Sequence, residues 1–138
     1  MLKININILL LIIMLLMNYS CNTTKTSRSF TIGKGGGFTG RYDIYRVCEN
    51  GSVYLVRDDM TEELLMKAGK KEIAGIFCQF DKLNITGTTF SHPGNMTSFI
   101  LYTLDGKTYE IKWGSPNAKP PQQYVDFFDK VWSLIRRK

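Results

Sequence analysis

Two dipeptides, Asn50-Gly51 and Asp105-Gly106, constrain the fold of this chain more than any other short stretch. Each lies between runs rich in β-branched and aromatic residues, and each accepts the positive φ that tight hairpin turns demand. The first joins RYDIYRVC, Arg41–Cys48, to residues 52–57. A two-residue turn there predicts Cys48 opposite Val53, Val47 opposite Tyr54 and Arg46 opposite Leu55. Tyr45, Val47, Tyr54 and Val56 then share the core face, with Ile44 and Leu55 on a second, partly covered side. The second dipeptide joins residues 97–104 to residues 107–114, with Ile100 opposite Ile111, Tyr102 opposite Tyr109 and Ser98 opposite Trp113. That apolar row belongs to the core, while Phe99 and Leu101 share a mixed reverse face with Glu110 and Lys112.

Around these hairpins the apolar spacing changes from two to about 3.6 residues. Ile73, Ile76, Phe77 and Phe80 recur at helical spacing from Lys70 onward. Tyr124, Phe127, Phe128, Val131, Leu134 and Ile135 form a wide apolar stripe in a C-terminal helix that begins just after Pro121. Phe30-Thr31-Ile32 reads as a first strand ended by the glycines that follow. Residues 58–69 are open between a helix start, from the acids of Thr61-Glu62-Glu63, and a short strand over Leu64-Leu65-Met66. Residues 85–96, ITGTTFSHPGNM, read as loop, with Pro93-Gly94-Asn95 a tight turn. The expected fold is α+β: an antiparallel sheet of about five strands, with a central helix and a C-terminal helix packed on one face.

The N-terminus carries a different signal. Lys3 precedes an unbroken apolar run over residues 8–17, the layout of a secretory leader, and the run is short of the about 20 apolar residues a spanning helix needs. Ser20-Cys21 resembles the end of the lipobox of bacterial lipoproteins, although Asn18 and Tyr19 depart from its pattern. The resemblance implies diacylglycerol and an acyl chain such as palmitate on Cys21, a membrane anchor of two or more chains. The expected organisation is a signal peptide over residues 1–20, a lipidated tether over 21–29 and a single domain over 30–138. No acidic run follows Cys21, so the expected location is the cell envelope, facing the periplasm. Removing residues 1–20 from 138 leaves 118, enough for one ordinary domain. Of 18 Lys and Arg only Lys3 lies in the leader, leaving 17 against 12 Asp and Glu. That mild excess is not a nucleic-acid footprint, and no nucleic-acid partner is expected.

With Cys21 committed to lipid, Cys48 and Cys78 remain, either as a disulfide in an oxidising compartment or as two buried thiols. There is no C-x-x-C pair. Gly35, Gly37 and Gly40 satisfy G-x-G-x-x-G formally, but strand-forming residues follow where a nucleotide fingerprint needs a helix. No cofactor is therefore expected, and no metal-ligand cluster is visible. His92 is the only histidine; a hydrolase built on His92 with Asp43 or Asp81 is the weakest of three readings, and the expectation is a non-enzyme. Residues 35–40, GGGFTG, and 92–96, HPGNM, together resemble a recurring type of small bacterial envelope lipoprotein of unknown function. The Gly-Gly-Phe segment also resembles the opening of emfourin-type metalloprotease inhibitors, themselves small α+β domains. The expected function is binding of a protein or envelope component by an edge containing Phe38, Thr39, His92 and Asn95, with protease inhibition as the alternative.

Overall fold

The structure, a computed structural model, describes residues 27–137; the leader and Cys21 lie outside them. The fold is α+β. Its strands are β1 (Ser29–Gly36), β2 (Arg41–Cys48), β3 (Ser52–Val56), β4 (Glu62–Lys67), β5 (Phe90–His92), β6 (Met96–Leu104) and β7 (Lys107–Trp113). Its helices are α1 (Lys70–Lys82) and α2 (Gln122–Arg136). The seven strands form one sheet in the order β4-β3-β2-β1-β6-β7-β5. The first strand is thus central: β1 to β4 run outward as a meander, α1 crosses over, and β6 returns antiparallel to the other side of β1.

Two strands separate this sheet from the expected five-stranded antiparallel one. The fifth, β5, is three residues long and pairs parallel to β7, so the sheet is mixed. It falls in the Gly- and Pro-punctuated stretch read as loop, and three residues are too few to display a period. The other addition, β4, resolves the open reading of residues 58–69 in favour of a strand. Glu62 and Glu63 stand where a helix would place acids in its first turn, but here they meet Arg46 and Arg57 across the sheet.

The second hairpin keeps its expected register, Ile100 opposite Ile111 and Ser98 opposite Trp113. Asp105 and Gly106 take φ of 50° and 76°, the pair of left-handed residues such a two-residue turn needs. The first hairpin is corrected by one residue: Val47 lies opposite Val53, Arg46 opposite Tyr54 and Tyr45 opposite Leu55. Its loop is Glu49-Asn50-Gly51, with Gly51 alone at positive φ, 91°, and its N–H donating to the Cys48 carbonyl at 2.9 Å. Asn50 Oδ1 accepts from the Ser52 N–H at 3.0 Å and so helps close the longer loop. The slip exchanges Tyr54 for Val53 on the core face. Val53 is fully buried, while Tyr54 lies under the Arg46 guanidinium at 4.6 Å on the reverse side.

The glycines after Ile32 do not end β1, as expected, but continue it to Gly36. A Cβ at Gly33 would stand 2.2 Å from Phe99 Cζ, and one at Gly35 would stand 2.1 Å from the Arg41 carbonyl oxygen. Glycine is therefore what lets the Phe99 ring and the neighbouring backbone close against the strand.

One core joins the sheet to both helices. Phe30 stacks on Phe80 of α1 at 4.7 Å between centroids and meets Phe127 of α2 at 5.3 Å. The predicted stripes of both helices are buried in it. Tyr124, fully buried, donates its hydroxyl to the Leu83 carbonyl at 2.9 Å, tying the start of α2 to the end of α1. The reverse face of the sheet carries Tyr42, Ile44, Arg46, Phe99, Leu101, Glu110 and Lys112, where Arg46–Glu62 and Lys112–Glu110 pairs balance the charge.

Candidate functional site

At Gly36, with φ of 106°, the chain leaves β1 and makes a single 3-10 turn, Gly37–Thr39, closed by Gly40 at φ 63°. The Gly37 N–H donates to the Asn95 carbonyl at 2.6 Å. A Cβ at Gly36 would lie 2.5 Å from that same oxygen, and one at Gly94 would lie 2.1 Å from the Gly114 carbonyl oxygen. The glycines of both loops thus allow backbone to pack on backbone. Thr39 Oγ1 accepts a long bond, 3.4 Å, from the Arg41 N–H, which spends one acceptor of Thr39 inside the turn. Phe38 at the apex is fully exposed, and Met96 beside it is half exposed. Phe38, Thr39 and Asn95 therefore form one edge.

His92 is not part of it. It ends β5 on the outer margin of the sheet, its ring against Phe90 at 4.7 Å and its carbonyl accepting from the Ser115 N–H at 3.0 Å. The register runs His92, Trp113, Ser98, Lys34, Asp43 across the sheet. Four strand spacings, about 19 Å, separate His92 from Asp43, which leaves no hydrogen bond between them. Asp81 is engaged by Arg28 at 2.8 Å.

Behind the Phe38 turn, on the helix side of the sheet, lies a recess of about 530 Å³ that α2 leaves uncovered. Lys34, Arg41 and Asp43 line its floor, and Trp132 and Arg136 of α2 form its wall. Trp132 is held in place by Tyr45, edge-on at 5.4 Å, and by Phe128, stacked at 5.2 Å. Burial pushes the Tyr45 hydroxyl up from its ordinary range; the Asp43 charge adds to the rise and Arg136 opposes it. Arg28, Arg46, Arg57 and Arg137 each meet a carboxylate. Arg41 and Arg136, with Lys34, form no ion pair among the described residues. Sequence reading found Phe38 but missed Trp132 and Arg136, which come from the far end of the chain. The available signal was a tryptophan beside the apolar stripe of a helix rather than within it.

Of the two readings left open, a disulfide or two buried thiols, the structure has Cys48 and Cys78 as free thiols, of which only Cys48 is buried. Cys48 is buried at the end of β2 and Cys78 is exposed on α1. Arg46 Nη1 donates to Cys48 Sγ at 3.0 Å. Burial nevertheless pushes the Cys48 thiol up, with Arg46 opposing. Near the chain's entry into the sheet a broader recess of about 820 Å³ lies beside α1, lined by Arg28, Ile73, Phe77 and Cys78 among others.

Among the described residues no three His, Cys, Asp or Glu side chains cluster in a way that could hold a metal ion, and no helix is long and apolar enough to cross a membrane. The site is thus an exposed aromatic apex beside a basic, tryptophan-walled recess. Comparison with known protein families and with curated proteins finds no match to this chain.

Proposed function

We propose that this chain is a non-catalytic, lipid-anchored domain of the bacterial envelope that binds a protein or envelope component through the edge containing Phe38 and Asn95. The observation that carries the reading is a fully exposed Phe38 on a turn clamped to the neighbouring loop by the Gly37–Asn95 hydrogen bond. Exposed aromatic side chains on ordered turns serve as anchors at protein interfaces. The leader and Cys21 support export, acylation and a periplasm-facing position. The direction of β1 supports the same arrangement. Its eight residues extend about 26 Å from the tether end to the apex, so an anchor at Cys21 leaves Phe38 at the far end of the domain.

The test is in-cell cross-linking of the full chain followed by capture. Phe38→Ala and Asn95→Ala should lose cross-linked partners while the thermal midpoint is unchanged; unchanged partners place the binding surface elsewhere. Globomycin treatment with mass analysis checks the anchor, and a mature protein without added lipid mass overturns it. A second reading, protease inhibition, draws on the same apex, since an aromatic side chain on a fixed loop can occupy a protease cleft. It requires the purified chain to slow an envelope metalloprotease at micromolar concentration.

A further inference from the structure

Resting on the binding reading above, we infer that the partner offers an acidic protein segment, in which carboxylates lie beside an apolar side chain. The recess behind Phe38 carries Lys34, Arg41 and Arg136 against the single acid Asp43. None of these three cations forms an ion pair among the described residues, whereas Arg28, Arg46, Arg57 and Arg137 all do. Lysines elsewhere are unpaired too, but Arg41 and Arg136 are the only arginines among the described residues without a carboxylate partner, and both line this recess. On the reverse face of the sheet, charges of opposite sign are paired and leave little for a ligand to neutralise.

Arg136 has a second role, since it also offsets the negative end of α2. Lys34 and Arg41 sit on strands and have no such role, so they are the cations an incoming carboxylate meets. The planar guanidinium of Arg41 suits bidentate pairing with a carboxylate. Trp132 supplies the apolar wall and Phe38 the apolar rim, so an acidic residue flanked by an apolar one meets complementary chemistry at both positions. The cations line a concave space walled by a helix, which admits a side chain; a flat anionic bilayer would instead be met by cations ringing a convex tip.

The experiment uses the full-length chain carried in phosphatidylcholine nanodiscs and a labelled peptide of alternating Glu and Phe, with its Gln-for-Glu counterpart as control. The Glu peptide should bind at least about tenfold more tightly than the Gln peptide, a difference that shrinks as salt is added. Lys34→Glu with Arg41→Glu should abolish that preference, and the milder Arg41→Gln should reduce it, with thermal midpoints showing each variant folded. Equal binding of the two peptides, or binding of neither, overturns the acidic-segment inference. If binding is equal but Phe38→Ala still weakens it, the binding edge stands and only the chemistry assigned to its partner fails. If neither Phe38→Ala nor charge reversal changes binding, the edge itself is wrong. Arg41-dependent co-sedimentation with phosphatidylglycerol vesicles, without peptide preference, overturns the inference in favour of an anionic membrane.

Discussion

Arg46 shows how one side chain sets the chemistry around it. Its guanidinium forks onto Glu62, with Nε to Oε1 at 2.6 Å, lies over the Tyr54 ring and donates to Cys48 Sγ. The fork holds the Glu62 carboxyl below the usual carboxylate range. Burial has the largest effect on Cys48 and keeps its thiol protonated to higher pH, although the positive charge of Arg46 favours the thiolate. Iodoacetamide at neutral pH should therefore label Cys78 in the native protein and Cys48 only after denaturation, with peptide mass mapping as the measurement. Rapid native labelling of Cys48 would show that the end of β2 opens readily. At this scale the Phe38 edge was half legible. Glycines on both sides of one aromatic residue announced an exposed apex, and Asn95 came with its Pro-Gly turn. Trp132 and Arg136 were not legible as partners of that apex, because only the placement of α2 across the sheet brings them there.

The elements differ in how clearly they were written. Both helices were visible because each carries an apolar stripe at its period, and the core buries those same residues. The second hairpin was exact because Asp-Gly alone makes its turn. The first slipped because Asn-Gly is there two-thirds of a three-residue loop, and burial of Val53 chooses between registers that a dipeptide leaves equal. Strands β4 and β5 lie at opposite edges of the sheet, where strand identity depends on pairing with a neighbour more than on a residue pattern of their own. Polar contacts between the helices include Lys130 to Gln79 and Arg137 to Glu72 at the surface, and the buried one, Tyr124 to the Leu83 carbonyl, can be tested alone. Tyr124→Phe removes the hydroxyl that satisfies the Leu83 carbonyl, leaves that buried acceptor unpaired and should cost about 1 to 2 kcal/mol in chemical denaturation. A loss near zero would mean that water replaces the hydroxyl, loosening the junction of α1 and α2.

For the molecule as a whole, the arginines divide the surface more sharply than the lysines do. On the reverse face of the sheet, which neither described helix covers, Arg46 is paired with Glu62, while Arg41 and Arg136 near Phe38 meet no carboxylate among the described residues. The central position of β1 adds a mechanical consequence. This strand begins at Ser29, next to the chain's entry, and ends at Gly36, next to the apex. A β-strand rises about 3.3 Å per residue, close to the about 3.6 Å that a peptide chain can reach when stretched. Tension applied at the entry and resisted at Phe38 would run along backbone that is already nearly taut, leaving the flanking ladders and both helices outside the load path. Optical-trap handles at residues 27 and 38 should therefore give no large unfolding step at forces that unfold the domain through handles at 27 and 137. Matching steps from the two pairs of handles would refute that load path. A partner held at the apex could then pull on the chain's entry while the hydrophobic core stays at rest.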